Sequence, residues 1–198
     1  GAYGLKEEDI NLQILLSCKA ELERHGVQVV ASRLKDENDP VQDEVREANA
    51  SGADIAVSFH TNAGRGDGSE TFYYKGNENG KRLAELCEKH TKLIGQNSRG
   101  VKTNNLMFTR ETKMTAVLCE CAFIDHDTDN DIIDTIAEQQ KFGVAYAKAI
   151  LEYFGIAYKA ATTTTKLYRV QVGAFSIKSN ADKLVKELKS KGYDAYIV

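Results

Sequence analysis

The sequence predicts an α/β fold: a mixed, largely parallel sheet flanked by helices on both faces, followed by a small strand–helix–strand unit. Three observations predict it. Apolar runs at residues 55–59 and 115–124 are too short for typical helices and are bounded by turn signals, so they read as buried strands. Segments with helical spacing of apolar residues alternate with them, as in sheets covered on both faces. A threonine-rich stretch at residues 159–165, without periodicity or large apolar residues, reads as a linker between two units.

Each element follows from its own pattern. Residues 6–24 form a helix, because Ile10, Ile14, Cys18 and Leu22 recur every four positions. Glu7, Glu8 and Asp9 in its first turn suit the helix dipole, and Gly26 stops it. Residues 27–31 read as a short strand and 33–40 as a polar loop carrying the chain's one proline. Residues 41–50 form a short helix closed by Gly52. The central strand at 55–59 then runs into His60, Thr61 and Asn62, and a glycine-rich loop spans 64–68. That loop is not a Walker cradle, since no Gly-Lys-Ser/Thr follows. Residues 71–74 have strand composition. Residues 79–96 form a helix with Leu83, Leu86, Cys87 and His90 on one stripe, and His90 reads as a surface or boundary residue. Residues 97–108 read as loop with short extended pieces, 115–124 as the third buried strand, and 129–154 as one helix or two. Beyond the linker, residues 167–172 form a strand, 180–191 a helix stopped by Gly192, and 193–198 a strand. The expected domains are residues 1–157, a linker at 158–166, and the small unit at 167–198.

Bulk composition excludes several function classes. A net charge of −3 gives no basic field, so nucleic acid is not an expected partner. No apolar run is long enough to span a bilayer, so no membrane partner is expected either. The four cysteines lack CxxC spacing and read as buried apolar residues rather than a disulfide framework. A monomer is expected. Residue 1 is glycine and feeds a helix rather than a strand, so the natural chain is expected to begin upstream.

Three residues carry candidate chemistry. His60 sits at the carboxyl end of a buried strand, where open α/β sheets place their ligands. A satisfied histidine at a strand end is the plain alternative. Glu120 lies within an otherwise apolar strand. It is either paired with a cation or is a general base whose pKa is raised by its surroundings. Strand alternation points it away from Cys119 and Cys121. Glu7 stands at a helix start, where a dipole carboxylate is common. Together they supply an oxygen ligand, a nitrogen ligand and a base, the makings of a catalytic zinc centre with an open position for water.

The motifs Gly4-Leu-Lys-Glu-Glu-Asp-Ile-Asn-Leu12, Ser32-Arg33, Glu47-Ala-Asn49, Gly52-Ala-Asp54, Ser58-Phe-His-Thr-Asn-Ala63, Ser69-Glu-Thr71, Arg99-Gly-Val-Lys102 and Ala116-Val-Leu-Cys-Glu-Cys-Ala-Phe-Ile124 occur in this order. In this the chain resembles the zinc-dependent N-acetylmuramoyl-L-alanine amidases, cell-wall lytic enzymes of bacteria and phages, over residues 1–155. The resemblance implies Zn2+ as cofactor, with Glu7 and His60 as ligands and Glu120 as the catalytic glutamate. Asn62 and Arg99 become candidates for substrate contact. Peptidoglycan is the implied partner, and the bacterial cell wall the implied place of action, reached by secretion or by cell lysis. The tail, Tyr168-Arg-Val-Gln-Val-Gly-Ala-Phe-Ser176 and Gly192-Tyr-Asp-Ala-Tyr-Ile-Val198, resembles the first half of a SPOR domain, which binds glycan strands lacking stem peptides.

Some positions depart from the family pattern. The family's first ligand histidine lies in a His-Gly-Gly-type turn upstream of the segment matching Gly1 and Ala2, and no such turn stands in this sequence. Ala122 replaces a usual glycine, and His126 replaces a frequent asparagine and offers a substitute ligand. Two other readings compete: a non-catalytic peptidoglycan-binding protein with a degenerate amidase fold, and a thiol hydrolase using Cys119 or Cys121 with His60.

Overall fold

A computed structural model describes residues 1–35, 40–161, 171–191, 193 and 195–197. It divides into two compact units, Gly1–Lys159 and Ala160–Val198. In the first unit the order is α1 (Glu7–Arg24), α2 (Val41–Ser51), β1 (Ile55–Asn62), β2 (Ser69–Tyr73), α3 (Glu78–Lys92), β3 (Ser98–Thr103), α4 (Met107–Glu111), β4 (Thr115–Phe123), α5 (Asp127–Asn130) and α6 (Ile136–Tyr153). The four strands form one mixed sheet in the order β1-β4-β2-β3. β1 runs parallel to β4, β2 parallel to β3, and β2 antiparallel to β4.

Alternation along the strands separates the two faces. Val57, Phe59, Val117, Cys119 and Cys121 point into the main core, shared with Ile10, Ile14 and Cys18 of α1, Leu83 and Cys87 of α3, and Phe142 and Tyr146 of α6. Ala56 and Ala116 point the other way, to Val45 of α2 and to Met107 and Phe108 of α4. Helices therefore cover both faces, as the continuous apolar runs predict. The close approach of α1 and α6 depends on Gly143, where a β-carbon would lie 2.5 Å from the Ile14 carbonyl oxygen and 2.6 Å from Ser17 Cβ. Ser17 Oγ fixes the crossing by donating to the Gln140 carbonyl at 2.9 Å. α3 and α6 carry side-chain caps: Asn77 accepts from Gly80 N and Thr135 from Glu138 N.

Several elements differ from expectation. Residues 27–31 have strand composition but are not in the sheet. A strand needs a partner for its backbone groups. Val27 and Val29 instead line one wall of a groove of about 800 Å³, with Ile55 and Val57 of β1 on another. β1 is the sheet edge facing that groove. Residues 98–103 form a full strand because β2 offers them a parallel partner. α4 overlaps the stretch read as loop only at residues 107–108 and runs on to Glu111, and the region from 129 to 154, read as one helix or two, is broken at residues 131–135, giving α5 and α6.

In the second unit, α7 (Lys178–Ser190) occupies the expected helix and buries no residue. Residues 162–170, which hold much of the first expected strand, lie outside the described residues, as do 192, 194 and 198. Gln171, Val172, Tyr193 and residues 195–197 are not in strands. Among the described residues no helix is long and apolar enough to cross a membrane.

Candidate active site

The site is built where the parallel pair of β1 and β4 ends. His60 and Glu120 are register partners on β1 and β4, and Glu120 is in turn opposite Glu70 on β2. Adjacent strands lie about 4.8 Å apart, so the three side chains form one row across one face. It is the face opposite the main core, since Phe59, Cys119 and Cys121 point into that core.

The N-terminus of α1 is brought against the carboxyl end of β1. Glu7 Oε1 meets His60 Nδ1 at 3.2 Å and accepts from Thr61 N at 3.4 Å and Asn11 Nδ2 at 3.3 Å. Asn11 is itself held by Thr61 Oγ1 at 2.9 Å. On its other side, His60 Nε2 lies 3.0 Å from Ser58 Oγ. The hydrogen bond from His60 holds the Glu7 carboxyl below its ordinary value, although burial opposes it. Burial pulls the His60 imidazole down, but the bond to Glu7 and the charges of Glu120 and Glu7 outweigh it and raise the net value.

Glu120 has the opposite character. Its Oε2 is buried and has no hydrogen-bond partner among the described residues. Burial pushes its carboxyl up to about 7, against the pull of His60 and with the help of the Glu7 and Glu70 charges. The cation-paired alternative raised by the sequence is therefore realised at Glu70, not at Glu120. A raised carboxyl binds more protons in the folded chain than in the unfolded one between its ordinary value and about 7. Stability of the metal-free protein should therefore fall as pH rises through that window. Glu120→Gln should remove the fall, leaving the variant about 1–3 kcal/mol more stable than the parent above pH ~8 and level with it near pH ~4. Urea unfolding at the two pH values in chelator checks this, and parallel pH profiles would contradict it.

The residues fit a zinc ion at two positions. Ligands about 2.0–2.2 Å from a tetrahedral zinc lie roughly 3.3–3.5 Å apart. Glu7 Oε1 and His60 Nδ1 match that spacing, and the partnerless Glu120 oxygen stands beside them in the strand row. Among the described residues, no third histidine, cysteine, aspartate or glutamate joins Glu7 and His60 in a ligand cluster. His126, the substitute ligand suggested by sequence, belongs elsewhere. It groups with Asp67 and Asp129, whose ligand atoms all lie within 4.8 Å of one another. Asp129 Oδ2 there already accepts from Gly68 N at 2.9 Å and Phe123 N at 2.6 Å, so it ties the loop before β2 to the end of β4.

Asn62 and Arg99 come together through a residue to which sequence reasoning gave no role. Glu70 accepts from Asn62 Nδ2 at Oε1 (3.2 Å) and from Arg99 Nε at Oε2 (2.6 Å). Lys102 Nζ also donates to Oε2. Although burial opposes it, the two cations hold the Glu70 carboxyl below its ordinary value. The available signal was a carboxylate between Ser69 and Thr71 in a strand, both fully buried.

The thiol reading fails on geometry. Cys119 and Cys121 are buried on the opposite face, and burial pushes both thiols far up. A nucleophilic thiolate needs an accessible, electropositive setting. All four cysteines are buried and unbridged, as composition predicts.

Residues 1–152 match the family model described as N-acetylmuramoyl-L-alanine amidase, and residues 148–198 match the SPOR domain. The chain is 33% identical over 201 residues to N-acetylmuramoyl-L-alanine amidase CwlM of Bacillus licheniformis, covering 100% of this chain and 78% of that protein. It is 32% identical over 199 residues to the sporulation-specific N-acetylmuramoyl-L-alanine amidase of Bacillus subtilis, covering 98% and 77%. Among solved structures, amidase AmiC2 of Nostoc punctiforme superposes with a TM-score of 0.74 at 29% identity, covering 78% of this chain and 88% of that one. An N-acetylmuramoyl-L-alanine amidase from Clostridium difficile gives 0.73 at 30% identity, covering 77% and 86%. Matched over its first 152 residues by the family model and over nearly its whole length by curated amidases, the chain belongs to the N-acetylmuramoyl-L-alanine amidase family.

Proposed function

We propose that the chain hydrolyses the amide between the lactyl group of N-acetylmuramic acid and L-alanine in peptidoglycan, with zinc as its cofactor, at the bacterial cell wall. In this reading residues 1–157 are the catalytic domain, 158–166 a linker, and 167–198 a partial SPOR domain that holds the enzyme on glycan. The observation that carries it is the pairing of Glu7 with His60 at zinc-ligand spacing beside a buried, partnerless Glu120.

Glu7 and His60 would hold the metal. When bound, zinc supplies a Lewis acid for the amide carbonyl and lowers the pKa of a coordinated water to ~7. The protein's own contribution is proton handling and positioning. Glu120 Oε2, without a hydrogen-bond partner among the described residues, takes the proton of the attacking water and returns it to the departing alanine nitrogen. A carboxyl near 7 performs both transfers at neutral pH, because neither protonation state is strongly favoured. Ser58 holds the His60 ring through Nε2, which leaves Nδ1, on the Glu7 side, for the metal. Asn62 and Arg99, fixed by Glu70 beside Glu120, contact the substrate.

The test is digestion of purified peptidoglycan with zinc present, scoring new L-alanine amino groups and new reducing sugar ends. New amines without reducing ends, lost in chelator, are expected. Because only two of the candidate ligands meet among the described residues, a second reading is kept: a wall-binding protein that does not cut. Retention on peptidoglycan with no amine release would select it.

A further inference from the structure

The Glu70 cluster is unbalanced. One carboxylate, 7% exposed, takes two cations, Arg99 at 38% and Lys102 at 36%. A single cation neutralises a buried carboxylate, so the cluster holds one cation more than Glu70 needs, and both cations are partly exposed. Arg99 engages Glu70 only through Nε; its two Nη groups carry no hydrogen bond among the described residues, and its guanidinium lies 5.0 Å from the Phe123 ring centre. The ring packs against the guanidinium, and the Nη pair is left without a partner among the described residues, as a planar anion would use it. These cations stand at the Glu70 end of the row whose other members are Glu120 and His60.

We propose that Arg99 and Lys102, held in place by Glu70, form a subsite for the free carboxylate on the second residue of the stem peptide. The proposal rests on the amidase reading of the site. Spacing supports it. Glu120 and β3 are separated by two strand intervals, about 10 Å between backbones, and Arg99 and Lys102 lean back to Glu70 across part of that distance. In an extended peptide each residue spans about 3.3–3.6 Å, so a carboxylate on the second residue lies roughly 7 Å from the scissile carbonyl. The leaving peptide thus reaches from Glu120 to the Nη groups with one residue between. Stem peptides carry an acidic second residue whose α-carboxyl is either free or amidated. The subsite would therefore sort walls by that modification. Glu70 is a positioning residue here, acting on substrate only through the two cations and Asn62.

Two muropeptides differing only in a free carboxylate or a carboxamide at that position decide the matter. Binding is measured by calorimetry in chelator, so that nothing turns over, and hydrolysis separately with zinc. The charge-assisted contact should favour the carboxylate form by about 10- to 100-fold in affinity. Arg99→Gln with Lys102→Gln should erase that preference, so that the two forms bind alike. Glu70→Gln should weaken the preference, and Glu70→Asp should restore part of it. Equal binding of the two forms by the parent, or a preference that survives the double substitution, overturns the subsite. Preferential binding with no hydrolysis of either form would leave the subsite standing and remove the amidase reading instead.

Discussion

Replacing Glu120 by glutamine should lower kcat by about 10²- to 10⁴-fold, the range general acid–base groups contribute, while the fold and the zinc content stay unchanged. The substitution is close to isosteric, so the apolar surroundings that raise the Glu120 carboxyl are kept. It removes the one buried side-chain oxygen of the row that has no protein partner. The amide cannot accept the water proton or pass it on, but it still fills the space between His60 and Glu70, its neighbours on either strand. KM should move little, because Glu120 makes no hydrogen bond to the residues proposed to contact substrate. Release of alanine amino groups from peptidoglycan, followed together with zinc content by atomic absorption, checks both halves. An unchanged kcat would remove Glu120 from the chemistry, and a lost metal would reassign it as a ligand.

Substituting His60 by alanine should act one step earlier, on zinc retention. On the proposed reading, two ligands would hold an ion less tightly than the three of a complete catalytic site. With His60 gone, Glu7 would be left with its bonds from Thr61 N and Asn11 Nδ2 and a single ligand would remain. Zinc content after dialysis should fall to background, and amine release should fall with it. Glu7→Gln, which keeps the shape and the contact with Thr61 but removes the charge, should give an intermediate zinc content. The fold should survive both, because His60 and Glu7 lie outside the main core. Wild-type zinc content in the His60 variant would show that the metal is held elsewhere, and the Asp67, His126 and Asp129 group would become the place to look.

Much of this was legible in the chain itself. The sequence alone determined the α/β class, the alternation that sets Glu120 against Cys119 and Cys121, and the helix start at Glu7, because periodicity and capping are local properties. The contact between Glu7 and His60, 53 residues apart, was inferred from ligand chemistry and motif order rather than from any local pattern. Tertiary structure alone decided the rest. Residues 27–31 have strand composition yet stand apart from the sheet, since strand formation depends on a partner that composition cannot name. The reverse holds for β3, whose Ser-Arg-Gly-Val-Lys-Thr sequence is a poor strand by composition but pairs with β2. Glu70 gained its role through register, which sets it opposite Glu120 and within reach of Arg99 and Lys102. His126 was drawn to Asp67 and Asp129 rather than to His60. Local propensity is written in neighbouring residues, whereas register and the pairing of charges across strands depend on how distant segments meet, and only the folded chain sets those distances.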